Sequence, residues 1–117
     1  MNRPLTLTAA ERTLLTAALR HSAALWPHDP VTPIRLDTAA WLESLPKHAQ
    51  RLAMTEIGLM DAADALAYYV VEREEVTSEA LALLTKFTKA VSVQARVLRK
   101  LDAARAILKR RGKGGPQ

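Results

Sequence analysis

The stretch TSEALALLTKFTKAVSVQARVLRKLDAARAILKRR, residues 77–111, decides how the whole chain is read. At 100° per residue, Leu83, Leu84, Phe87, Val91, Gln94, Leu98, Leu101 and Leu108 gather on one side of a helix, and Lys86, Lys89, Arg96, Lys100, Arg110 and Arg111 gather opposite. An apolar seam of this kind is stable only when other helices cover it, so the pattern predicts an all-α fold. Thr77 supplies an N-cap, Val76 and Leu81 stand at staple positions, and Glu79 suits the positive end of the helix dipole. Unbroken from Ser78 to Arg111, the helix would be about 51 Å long. That is roughly twice the width of so small a domain, so its end is expected to project or to meet a partner.

The preceding residues read as material that covers the seam. Thr8 and Glu11 have the T-x-x-E spacing of a capping box, and Leu14, Leu15, Ala18, Leu19, Ser22, Leu25 and Trp26 follow a helical period. Pro27 is expected to stop this helix, Pro30 and Pro33 predict an extended loop over His28 to Arg35, and Asp37 a second N-cap, with Leu36 and Trp41 as its staple. From Pro46 an apolar face runs towards Glu75 as a third helix. Gly58 in its interior costs about 1 kcal/mol relative to Ala, which predicts a close helix crossing there. Residues 1–7 are expected to be a loose lead-in and 112–117 a flexible, basic, glycine-rich tail. The predicted architecture is an irregular four-helix bundle with a long C-terminal helix, a single domain over residues 1–111.

Charge is distributed in blocks. Residues 1–60 carry a net +1, residues 61–80 a net −5 and residues 81–117 a net +9. Such blocks predict either a polyanion on the basic end or a basic surface against the acidic belt. Cysteine is absent, so no disulfide framework exists. No apolar run approaches the roughly 18 residues of a membrane span, so no membrane partner is expected and a cytoplasmic location is.

Catalytic signatures are lacking. Neither the phosphate-loop nor the dinucleotide glycine pattern occurs. His21, His28 and His48 share no helical metal spacing, and Ser22, Ser44, Ser78 and Ser92 sit in helical or capping contexts. Asp61 and Asp64 stand three apart, but no histidine or glycine-rich loop converges on them in the sequence. The reading is therefore non-enzymatic, with no cofactor and no metal. Trp26, Trp41 and Phe87 are expected to be core anchors, which speaks against the reading of single-stranded bases.

The spacings of Lys86, Lys89, Arg96 and Lys100 predict a cationic line able to follow a phosphate backbone by displacing counterions. Lys109, Arg110, Arg111 and Lys113 would extend it as a basic arm. Asp61, Asp64, Glu72 and Glu75 are expected to face a neighbouring subunit, as are Leu98, Leu101, Arg105 and Leu108 at the free end of the last helix. The expected function is a small helical nucleic-acid-associated subunit that holds RNA or DNA without reading sequence. In size, helicity and charge, though in no motif, such a chain resembles the small helical subunits that line CRISPR ribonucleoprotein complexes. The alternatives are a protein-interaction module or homo-oligomer without nucleic acid, and a helix-turn-helix around Asp37 to Met60.

Overall fold

The computed structural model describes residues 2–46, 51–72, 76–91 and 95–114, of which 2–4 and 111–114 through their backbone alone. Among them lie two short strands, β1 (Asn2–Thr6) and β2 (Arg51–Thr55). Five helices complete the fold: α1 (Ala9–Leu25), α2 (Thr32–Ser44), α3 (Glu56–Glu72), α4 (Ser78–Ala90) and α5 (Ala95–Gly114). The protein is an all-α bundle carrying one two-stranded ribbon, and it measures 44 × 34 × 24 Å. Leu15, Leu19, Leu59, Leu66, Leu83, Leu84 and Phe87 form the fully buried centre where α1, α3 and α4 meet.

α1 begins where the capping box predicts. The Thr8 N–H donates to Glu11 Oε1 at 2.9 Å and the Glu11 N–H donates to Thr8 Oγ1 at 3.1 Å, which satisfies two of the orphan donors of the first turn. Leu15, Ala18, Leu19 and Ser22 are buried, but Leu25 and Trp26 are exposed, contrary to the expected stripe. Pro27 cannot continue the helix, so α1 ends at Leu25 with Trp26 as its C-cap.

α2 starts earlier than Asp37. The Asp29 carboxylate accepts the Val31 N–H at 3.0 Å, the Thr32 hydroxyl donates to the Trp26 carbonyl, and Pro33 stands in the first turn. A proline is at home there because its missing N–H would be unpaired in any case. Leu36, Asp37 and Trp41 consequently fall within the helix on exposed positions, and no staple forms. Trp41, like Trp26, is not a core anchor; Phe87 is.

The continuous helix expected after Pro46 is replaced by β2 and α3. Residues 51–55 alternate between exposed and buried, with Leu52 and Met54 inward, and pair antiparallel with β1 so that Leu5 lies opposite Leu52. The apolar residues fit either period over so short a run, and the pairing with β1 selects period two. The lead-in is thus a strand. Thr55 then caps α3, its Oγ1 accepting the Gly58 N–H at 3.0 Å. A Cβ on Gly58 would stand 3.0 Å from that same oxygen, so the glycine marks the close approach of a capping hydroxyl and not a helix crossing. β2 also separates α2 from α3, which removes the expected helix-turn-helix.

The predicted long helix is two helices. Thr77 caps α4 as expected, its Oγ1 accepting the Ala80 N–H at 3.0 Å, and Val76 is buried beside it. α4 ends at Val91, which is buried and extended, with φ −142° and ψ 160°. The sequence Val91-Ser92-Val93 favours such a break, because β-branched and serine side chains are weak helix formers. Breaking there lets α5 return over α3 and α4 instead of leaving the body. Its buried side is Val97, Leu101 and Ala104, with Ile107 and Leu108 packed beside them, and Leu98 is left 46% exposed. α5 runs through Gly112 to Gly114.

Candidate nucleic-acid interface

The division of the last segment into α4 and α5 dismantles the expected cationic line. Lys86 is on α4, where its Nζ donates to the Thr6 carbonyl at 2.6 Å and to both oxygens of Glu11 at 2.9 and 3.1 Å. It is a strap joining the end of β1, the start of α1 and α4. Burial acts to raise the Glu11 carboxyl, but the Thr8 backbone N–H, the Lys86 ammonium and the Thr8 hydroxyl outweigh it and hold the group below the ordinary glutamate value. Lys89 is exposed and makes no ion pair among the described residues.

Arg96 and Lys100, on α5, lean back towards α3. Arg96 donates from Nε and a terminal nitrogen to the two oxygens of Asp64 at 3.0 and 3.1 Å. Lys100 Nζ is 3.9 Å from Glu72 and 5.0 Å from the centre of the Tyr68 ring. Asp61 faces α2 instead: Arg35 donates to it from Nε at 3.1 Å to each oxygen and from a terminal nitrogen at 2.8 Å. The other terminal nitrogen of Arg35 donates to Ser22 on α1, and Asp64 lies 3.8 Å from the guanidinium. The carboxylates Asp61, Asp64 and Glu72, expected on a partner's surface, are thus engaged within the chain. Glu75 lies outside the described residues.

Arg35 is the centre of this network. Its side chain is only 7% exposed, whereas that of Asp61 is 19% exposed. Desolvation acts to lower the guanidinium, but hydrogen bonding and charge from Asp61, with the charges of Asp64 and Asp29, raise it above its ordinary value. Composition gave no sign of this ion pair, because Arg35 sits between apolar residues in a segment read as a loop. Once α2 is taken to start at Thr32, Arg35 falls on the side of that helix that meets α1 and α3.

Cations remain on the outer side of α5. Arg99, Lys109 and Arg110 are exposed and have no ion pair among the described residues, and Arg105 meets only Asp102, at 3.4 Å on the surface. Arg99 and Arg110 stand about 20° apart on the helical wheel, opposite the buried Val97, Leu101 and Ala104. Small residues lie among them: Ala95, Ala103 and Ala106, all exposed. Arg99 has no place in the expected line and becomes visible only when the seam of α5 is centred on Leu101 instead of Leu98. The side chains of Arg111 and Lys113 lie outside the described residues. Of the expected apolar contacts, Leu101 is buried in the chain's own core, Leu108 packs against it and Leu98 is exposed.

Beside this face, α5 forms one wall of a groove of about 690 Å³ whose other walls are the end of α1, the start of α2 and α3. Arg35, Asp61 and Asp64 make its floor with Ser22; Val31, Ile57, Met60 and Val97 supply apolar wall; Arg96 and Lys100 stand on the α5 side. Trp26, 40% exposed, lines it together with Tyr68, the two rings lying edge to face with centroids 4.8 Å apart. Among the described residues no group of three or more His, Asp or Glu side chains is placed to hold a metal ion, and no helix is long and apolar enough to cross a membrane. No protein-family model, curated protein or solved structure matches the chain.

Proposed function

We propose that the protein is a non-enzymatic subunit that holds the phosphate backbone of a nucleic acid on the outer side of α5, without reading base sequence. The observation that carries this reading is the division of labour among the charges. Asp61, Asp64 and Glu72 are each matched by Arg35, Arg96 or Lys100, whereas Arg99, Lys109 and Arg110 are exposed and without an ion pair among the described residues. Solubility alone is ordinarily served by interspersed signs, whereas unmatched cations on one helix face gain free energy by releasing condensed counterions from a polyphosphate. The wall of small alanines between the arginines lets a backbone approach closely.

The test is salt-dependent binding of a labelled oligonucleotide. Binding is expected at about 50 mM salt, weakening linearly in log K against log salt. Arg99→Glu/Arg110→Glu should weaken it across all sequences and flatten the salt slope by about two, one for each arginine replaced. Arg20→Glu, on α1, should leave both unchanged. Absence of binding at low salt, or an unaltered slope in the double variant, removes the proposal.

A second reading, a protein-interaction module, draws on Ile34 and Trp41. They stand seven residues apart on α2, both exposed, and so share one outward side of that helix. Under that reading Ile34→Asp would abolish self-association or partner capture, and light scattering that returns a monomer at every accessible concentration removes self-association.

A further inference from the structure

We infer that the groove between α1, α2, α3 and α5 receives an unstacked base of a single-stranded nucleic acid, stacked against Trp26. The inference rests on the proposal that α5 holds phosphates and adds to it the form of nucleic acid preferred.

Three observations converge. The first is charge. The groove is lined by Arg35, Arg96 and Lys100 and by Asp29, Asp61 and Asp64, so its formal charge is zero, whereas the outer side of α5 carries a surplus of cations. A phosphate entering the groove would meet three carboxylates, with the cations beside them already engaged. A neutral, planar group meets no such penalty, so the phosphates stay outside and the base goes in.

The second is the wall. Trp26 keeps two fifths of its surface exposed although it is among the largest apolar side chains of the chain, and it is braced edge-on by Tyr68 and not covered by it. Ile57, 78% exposed, and Met60 line the same groove. An exposed aromatic side chain with aliphatic neighbours in one cleft offers a flat ring a surface to stack on, and base-aromatic stacking tolerates any base because each has a π face. The volume, about 690 Å³, lies in the range of small-ligand sites and exceeds what one base requires.

The third is continuity. Arg96 and Lys100 belong at once to the groove and to the helix that carries Arg99. Arg96 stands about 60° around α5 from Arg99. A strand whose phosphates lie along Arg99 can therefore turn a base over Arg96 into the groove. A duplex cannot do so without unpairing, so the groove favours single strands.

The experiment uses the full chain with Trp41→Phe, which leaves Trp26 as its sole tryptophan. Titration with an unlabelled short oligodeoxythymidylate should change Trp26 emission in step with binding measured by anisotropy, while the corresponding duplex should bind without that change. Trp26→Ala should weaken single-strand binding about 5- to 150-fold, the range for loss of one stacked base, and leave the salt slope and duplex affinity unchanged. Trp26→Phe should retain most of the affinity. Salt-dependent binding with unaltered Trp26 emission, or full single-strand affinity in Trp26→Ala, overturns the inference and leaves the phosphate proposal standing. Absence of binding to either form at low salt overturns both. Should Trp26→Ala fail to fold, the emission measurement on the intact side chain still decides.

Discussion

Replacing either member of the Arg35–Asp61 pair should be costly, and unequally so. Arg35→Met takes from Asp61 all its short hydrogen bonds from the guanidinium. The carboxylate is 19% exposed and borders an open groove, so water can replace part of what is removed. Asp61→Asn leaves the opposite problem: a cation 7% exposed, with Asp64 at 3.8 Å as its nearest remaining full charge. Breaking a buried pair from one side costs about 3–5 kcal/mol when the remaining charge is uncompensated. The deeper position of Arg35 places Asp61→Asn towards the upper part of that range, while rehydration of Asp61 brings Arg35→Met to about 2–3 kcal/mol. The double variant should be more stable than the sum of the single losses implies, with a coupling of about 1–3 kcal/mol. Urea denaturation at neutral pH measures all four chains, and constant m-values confirm that the native state and not the unfolded ensemble has changed. Arg35→Met within about 0.5 kcal/mol of the parent, or Asp61→Asn milder than Arg35→Met, would refute the reasoning.

Three further outcomes are expected. Thr55→Ala should cost about 1 kcal/mol through loss of the α3 cap, and Gly58→Ala, destabilising in the parent, should become stabilising by up to about 1 kcal/mol once Thr55 is Ala; thermal melts of the four combinations would show an additive pattern if the crowding by the Thr55 hydroxyl were unimportant. On α5, Leu101→Ala should cost about 2–4 kcal/mol and Leu98→Ala about 0.5 kcal/mol or less; equal losses in denaturant titration would restore the seam through Leu98 and refute the observed one. Glu11 has a folded value below its ordinary 4.5, so its contribution is complete above that value and disappears as pH falls through the depressed folded value. Glu11→Gln should therefore remove part of the acid destabilisation, and stability profiles of parent and variant that stay parallel on acidification would contradict the pairing with Lys86.

What was legible in the sequence was whatever depends on near neighbours. The caps at Thr8 and Thr77 need only residues three apart, and both form, Thr8 with its predicted partner Glu11 and Thr77 with the Ala80 N–H. The helical class follows from apolar periodicity, which survives small errors of register. The misread elements depend on distant partners. Residues 51–55 are a strand because residues 2–6 lie beside them, and no property of Leu52 or Met54 alone announces that pairing. The seam of residues 77–111 stays in phase on the wheel across Val91, so periodicity does not reveal that the helix ends there. Its weak helix formers were the available sign, and the burial gained when α5 returns to α3 makes use of it. Tryptophan position was obscured by size: burying the largest apolar side chains is the rule, and Trp26, at the C-cap of α1, departs from it. The candidate site inherits both errors, since its cations regroup when the helix breaks and its groove appears only when Trp26 is left uncovered.

The strap made by Lys86 also bears on the order of events in folding. Its bonds to Thr6 and Glu11 span 80 and 75 residues of chain, and closing loops of that length has to precede any gain from the contacts. α1 and α2 are joined by a short turn and pack against each other, so they can associate while the ammonium of Lys86 is still far from its acceptors. We predict that the strap forms late. Its removal by Lys86→Met should accelerate unfolding more than it slows folding, as read from the two arms of a denaturant chevron, and an equal effect on the folding arm would place the contact in the transition state.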